Sequence, residues 1–383
     1  MIPTPASEAA AAKAATLESE TPTGQRPAPA APADPGQPAD PGAAAPTAPY
    51  VVVTLQTNGI HPSSGRVVSV DAITFSADFT PVDKFHQVIN PGDGVDPGPV
   101  HLHGLSHEDV AGGRNFGHVL SQLDRMLDGR TLFVHDAPFT WGFIVAEAKR
   151  AMNAAARANR SRRGRGGKNG RARRRRKVGH VPQPERIVDT LACAYRSGAA
   201  ITDTRPGAVA RTLGMPAPRA GATTTRAKRA ERDTSREATM TVARTAAHLE
   251  RTSGWPAAYA PEDLSADKLG LQRSHVRVDA AAAPRPLDNP GVFDPAEGLK
   301  PGQEFVVADE VSLDPDELIA RGVKLRLAYV EKLSRQTSIV VGNLTADLRG
   351  KAMHAARKDI PIVRDDEFVR LLDQLEGQAD PGR

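Results

Sequence analysis

Cysteine is nearly missing from this chain. The single thiol, Cys193, excludes an internal disulfide framework and any zinc site built from several thiolates. A reducing, cytoplasmic setting is the expectation that fits. Long apolar runs are missing as well. No stretch of about 18 apolar residues exists, and the opening MIPTPASEAA lacks the charged-then-apolar order of a secretion signal. Neither a membrane span nor export by that route is expected. Aromatic residues are scarce, at 2 Trp, 4 Tyr and 10 Phe in 383 residues, whereas 33 Gly and 32 Pro are many for a chain packed from end to end.

What is present is unevenly placed. Eleven of the 32 prolines lie at or before Pro49, and residues 1–48 hold little beyond Ala, Pro, Gly and scattered acids. So little bulky apolar surface cannot offset chain entropy, which predicts a disordered tail. The net charge of +5 hides a second asymmetry. Twelve basic residues and no acid lie between Arg157 and Lys177, leaving −7 on the rest of the chain.

Pattern begins at Tyr50. The runs YVVVTLQ, RVVSVDAITF and DKFHQVI alternate β-branched and aromatic residues between turn signals and predict three consecutive strands. FGHVLSQLDRML carries helical spacing, TLFVH reads as a short buried strand, and FTWGFIVAEAKRAMNAAARA has helix composition throughout. Beyond the basic stretch come a short strand in RIVDTLA, a short helix at AVARTLGM and a helix in SREATMTVARTAAHLER. These elements predict a mixed α/β domain over 49–252. Residues 253–300, rich in Pro, Ala and Asp, read as a tether. Residues 301–378 then show strand and helix patterns in the order βαβαβα, which predicts a small parallel sheet with helices against it.

Several of these segments resemble the DnaQ-like (DEDDh) 3′–5′ exonucleases, the family that includes the proofreading subunit of bacterial DNA polymerase III. The opening VVVTLQTNGIHPSSGRVVSVDAITF is similar to the family's first motif, a strand bearing Asp-x-Glu followed by Thr-x-Gly. HGLSHEDV, from His103 to Val110, resembles the HGI-x-x-E-D-V turn, and HDAPFT, from His135 to Thr140, resembles HNAxFD. IVDTLA is similar to the VDTL strand, and REATMTVARTA to the closing helix, where His and Asp sit five apart. The resemblance covers Tyr50 to Arg251 and implies a ribonuclease H-like mixed sheet with flanking helices.

In that family four carboxylates hold two Mg²⁺ or Mn²⁺ ions and a histidine acts as general base. The corresponding positions here hold Thr54 and Gln56, then Thr140, then Arg236 at the histidine and Thr241 at the last acid. A one-residue slip gives Ser235 and Met240 instead. No carboxylate stands at any of these positions, so no intact catalytic set, no metal site and no metal cofactor is expected. Asp71, Asp136 and Glu147 are the acids that could have relocated into the site; otherwise they are solvated or capping groups. His101, His103 and His107 share one loop and are either a chelating set or, for His103, part of the family's structural turn. Cys193 is expected in the core.

The segment NRSRRGRGGKNGRARRRRK stands where the family has a short loop. Arg162, Arg163, Arg165, Lys168, Arg171, Arg173, Arg174, Arg175, Arg176 and Lys177 predict a mobile cationic loop within 157–177 whose partner is phosphate backbone. No aromatic residue is interleaved, so binding should be nearly blind to sequence. The Arg and Gly mixture also suits RNA, and DNA is favoured only through the family resemblance.

EFVVAD to LLDQL resembles a BRCT domain. In phosphopeptide-binding members of that family a Ser or Thr after the first strand and a Lys opening the second helix grip phosphate. Here the positions are Ala308 and Lys351, so only Lys351 remains for phosphate or partner docking, while Phe368 takes the packing aromatic of the last helix. Together these readings point to a nucleic-acid-binding relative of the exonucleases in DNA replication or repair, without its own two-metal activity. Its BRCT-like domain would dock a replication or repair protein. The alternatives are an active 3′–5′ exonuclease with relocated metal ligands and an RNA-binding factor that uses the Arg/Gly loop.

Overall fold

The computed structural model describes residues 48–164, 178–219, 221, 223–344, 348 and 350–379. The predicted tail lies outside these residues except for Ala48, and so do Arg165, Lys168, Arg171, Arg173, Arg174, Arg175, Arg176 and Lys177. β1 (Tyr50–Thr57), β2 (Val67–Phe75) and β3 (Pro81–Asn90) form an antiparallel meander, as the alternating runs predict. Two short helices follow, α1 (Val100–His103) and α2 (His107–Ala111), the second opened by a capping box between Ser106 and Asp109. β4 (Arg114–Asn115) leads into α3 (Phe116–Leu127), β5 (Thr131–Val134) and the long α4 (Ala137–Gly164). After β6 (Arg186–Asp189) come α5 (Thr190–Arg196), α6 (Pro206–Thr212), α7 (Thr224–Ala227) and α8 (Glu231–Thr252).

β7 (Ala258–Tyr259) completes a mixed seven-stranded sheet in the order β4-β3-β2-β1-β5-β6-β7. β1 sits at its centre, antiparallel to β2 and parallel to β5. Alternate residues of β1 feed two cores. Val51 and Val53 pack with Phe116 and Leu120 of α3 and Phe143 and Ile144 of α4, whereas Val52 packs with Val242, Ala243 and Ala246 of α8. Thr54 and Gln56 share the parity of Val52 and therefore face α8. All nine residues of β2 are buried, because helices cover the sheet on both sides.

The remaining elements are β8 (Leu264–Ala266), β9 (Gln272–Ser274) and α9 (His275–Ala282), then β10 (Glu304–Val307), α10 (Pro315–Lys324), β11 (Ala328–Tyr329), β12 (Ile339–Val341), α11 (Gly350–Ala356), β13 (Ile362–Val363) and α12 (Asp365–Ala379). A separate all-parallel sheet runs β11-β10-β12-β13. Phe305 of β10 stacks against Tyr329 and Phe368 at 5.5 Å, and a Cβ on Gly322 would stand 2.6 Å from the Phe305 ring, so α10 seats closely on the sheet. Among the described residues no helix is long and apolar enough to cross a membrane.

Three expectations need correction. Residues 253–300 are not a tether: β7 adds the last strand of the large sheet, β8 and β9 pair, and α9 packs on α10. Their buried apolar residues come singly, at Ala257, Leu264, Phe293 and Leu299, so no periodic run announced them. The basic insert is not wholly a loop, since α4 continues to Gly164 and includes Arg157, Arg162 and Arg163 in its backbone. The run DPDELIARGVKLRLAY alone predicts one helix through Tyr329, but α10 ends at Lys324 and Arg326, at φ 64°, redirects the chain so that β11 pairs with β10.

Candidate functional site

The register across β1, β2 and β3 aligns Thr54, Asp71 and His86 in one row, and Gln56 with Ser69 in a second row. α8 lies over both and presents Glu231, Ser235, Arg236 and Thr239. The Thr54 hydroxyl is 2.7 Å from that of Thr239, which in turn donates to Asp71 Oδ2 at 2.6 Å. Gln56 Nε2 donates to Ser235 Oγ at 3.3 Å, and Ser235 donates to Glu231. Ser69 Oγ also donates to Glu231, at 2.6 Å. Two cations close the network. Arg236 Nη2 lies 2.8 Å from Asp71 Oδ1, and His86 bridges Asp71 (3.3 Å) to Glu231 (3.1 Å).

Burial by itself would lower the His86 pKa, but the two carboxylates outweigh it and raise it from 6.5 to about 9. Burial likewise works against the Glu231 carboxylate; His86 and the hydroxyls of Ser235 and Ser69 prevail and hold its pKa below the usual range. Asp71 is fully buried (0% exposed), not a solvated or capping acid, because β2 is covered on both faces.

The structure brings together only part of the expected set. Thr54, Gln56 and Arg236 border one network, through Thr239, Ser235 and Asp71 respectively. Thr241 does not join them: its hydroxyl donates to the Glu237 carbonyl of its own helix at 2.8 Å. Thr140 donates to the His135 carbonyl at 3.1 Å. The α8 residues aimed at Thr54 and Gln56 are Ser235 and Thr239, one helical turn apart, so Ser235 from the slipped register reaches the site while Met240 packs on the core. His86, Glu231, Ser69 and Thr239 were missed. One signal was legible: Ser69 and Asp71 share the strand parity of Ile73 and Phe75, a polar pair leading into an apolar face.

The other candidate acids serve the scaffold. Glu147 is 1% exposed and takes Arg66 Nε at 2.6 Å and Arg150 Nη1 at 3.2 Å, while Arg150 holds the Gly65 carbonyl, so the β1–β2 loop is clamped to α4. Asp136, at φ 64°, accepts from Phe139 N. Burial, then the charge of Asp189, pushes the Asp136 carboxyl up to about 7. Asp189 ties together the starts of α4 and α5, accepting from the backbone N–H groups of Asp136, Ala137, Leu191 and Ala192. His103 is buried, accepts from Leu105 N and contacts the Pro97 carbonyl, a structural turn; His101 and His107 are exposed. Cys193 is core, and burial pushes its thiol up to about 12.

Lys351 is turned inward. Its ammonium donates to the Val307 carbonyl (2.9 Å) and Glu331 (3.1 Å), and burial lowers its pKa. Arg277 of α9 binds the same Glu331 at 2.8 and 3.0 Å and Asp309 at 3.1 Å. Ala308 and Phe368 are fully buried.

Residues 55–164 match the family model described as Exonuclease. Those residues are similar to that exonuclease family. The sheet to which they contribute is mixed and flanked by helices. A curated relative is DNA polymerase III subunit epsilon of Pasteurella multocida (strain Pm70), 29% identical over 92 residues, which is 24% of this chain and 36% of that protein. The chain thus spans about a third of that relative's length. Similar solved structures include exonuclease X in complex with 5′ overhanging duplex DNA, at 16% identity and TM-score 0.33, covering 54% of this chain and 95% of that one. A full-length 3′-exonuclease matches at 11% identity and TM-score 0.38, covering 61% and 69%.

The two divalent ions used by DnaQ-like exonucleases do not fit the residues present. Hard cations need anionic oxygen. Thr54, Gln56 and Thr239 present neutral groups, and the nearby carboxylates, Asp71 and Glu231, already face Arg236, His86 and three donating hydroxyls.

Proposed function

We propose that this chain is a nucleic-acid-binding member of the exonuclease family that acts in DNA replication or repair without two-metal nuclease activity of its own. The observation that carries this reading is the polar network under α8, where neutral donors replace the family's acids and the two carboxylates present are matched by two cations. The basic segment 157–177 supplies the contact with phosphate backbone, DNA before RNA, in keeping with the polymerase subunit that the domain is similar to. Lys351 serves the ion cluster around Glu331, so a protein partner would use another surface of the small domain.

The test is to incubate the full chain with labelled single-stranded DNA and Mg²⁺ or Mn²⁺. Intact strands are expected, along with binding whose log–log salt slope is about −5, as for roughly six neutralised phosphates. Deleting residues 157–177 should abolish most of that binding; unchanged affinity would remove the reading. RNA competing much better than DNA at equal salt would favour a ribonucleoprotein role.

A second reading, an active exonuclease with relocated ligands, is favoured by one observation: the Asp71 carboxylate is joined to Thr54 through Thr239 alone. Strand shortening that is lost in an Asp71→Asn variant would establish it.

A further inference from the structure

We infer that Arg236 and His86 are the resident cations of this cleft and that Thr54 and Gln56 have reversed its polarity, from accepting groups to donating ones. This rests on reading the cleft as the family's site. Thr239 has one hydroxyl proton, and the Asp71 Oδ2 carboxylate oxygen 2.6 Å away can only accept it, so the 2.7 Å contact with Thr54 is donated by Thr54. Gln56 donates to Ser235, whose own proton goes to Glu231. Two parallel relays, Thr54 to Thr239 to Asp71 and Gln56 to Ser235 to Glu231, therefore deliver hydrogen toward the acids.

The oxygens that the relays leave free face positive charge. Asp71 Oδ1 faces Arg236 and His86, and Glu231 Oε2 faces His86. His103, which also feels the charge of Glu231, is committed to the backbone of Pro97 and Leu105. A divalent ion entering here would have to expel a guanidinium at 2.8 Å and turn hydroxyl protons away from both carboxylates. The cleft has no unmatched negative charge to hold it, and the cations that neutralise it belong to the chain.

The experiment compares thermal midpoints of the full chain and of Arg236→Gln, with and without millimolar Mn²⁺. The wild-type midpoint should not move with Mn²⁺. The variant should melt roughly 5–15 °C lower, as expected when one partner of a buried pair is removed, and recover part of that loss in Mn²⁺. A wild-type midpoint that rises with Mn²⁺, or a variant that melts like the wild type, would overturn the inference. Should Arg236→Gln fail to fold, proton NMR of the wild-type histidine rings decides: one ring charged beyond pH 8 supports the inference, and titration of every ring near pH 6.5 refutes it. Binding to single-stranded DNA, measured alongside, reports on the proposed function and leaves these outcomes unaffected.

Discussion

Thr54 on β1 stands directly opposite Asp71 on β2, and the Thr239 hydroxyl of α8 joins their side chains at 2.7 and 2.6 Å. The strand pairing and the helix are thereby tied at one point, where the half-buried, neutral Thr54 is linked to a buried carboxylate. Thr54→Asp would set two carboxylates opposite each other on one face, where Cβ atoms are about 5 Å apart, with no added cation. It should cost more than 2 kcal/mol at pH 7 and less at pH 4, whereas Thr54→Val, which removes one hydrogen bond, should cost about 1 kcal/mol at both. Urea midpoints at the two pH values check this.

The His86 bridge makes stability depend on pH with a definite sign. Its pKa rises on folding from 6.5 to about 9, so its contribution, up to about 3 kcal/mol, is complete below pH 6.5 and is lost as pH climbs through 9. Glu231 works the other way. Its folded pKa lies below 4.5, so its contribution is complete above that value and fails as the medium becomes more acidic. The advantage of the wild type over His86→Gln should be largest between pH 4.5 and 6.5 and vanish above pH 10, read from melting midpoints across that range.

Arg277 reaches from α9 to Glu331 and Asp309, and Lys351 shares Glu331 with it. Arg277→Ala removes one member of a largely buried ion cluster and should destabilise by about 3–5 kcal/mol. Arg277→Met keeps the aliphatic stem and should recover only the packing part. Denaturant titration of the three chains separates the two contributions, and equal midpoints would show that the cluster adds nothing.

Gly98 has a φ of 88°, and a Cβ there would stand 2.5 Å from the Asn58 Cα. Asn58 in turn fixes the start of β2 by accepting from Arg66 N. Gly98→Ala should therefore cost about 2–4 kcal/mol through backbone strain and overlap together. Gly94→Ala, also at positive φ but with open space around it, should cost only the strain.

Short-range information sufficed for much of this molecule. The alternation of β-branched and aromatic residues in the runs from Tyr50 to Ile89 placed the meander, and helical spacing set Phe116–Leu127 to the residue. The motif positions singled out Thr54, Gln56 and Arg236, which border one polar network under α8, and their lack of negative charge was readable at once. The stretch 253–300 was misread because β7, β8 and β9 are strands of two or three residues, too short to carry a period.

The amino-acid order alone determined the strand meander and the longer helices, the family resemblance and the absence of acids at the expected positions, since each depends on neighbours within a turn or a strand. Which charges fill the cleft was decided only by the tertiary structure. Asp71, His86 and Glu231 come from β2, β3 and α8, and strand register together with the rotation of α8 turned Ser235 and Thr239 inward and Thr241 away. Electrostatic pairing acts across space, so no pattern along the chain could reveal that these acids would meet cations instead of water.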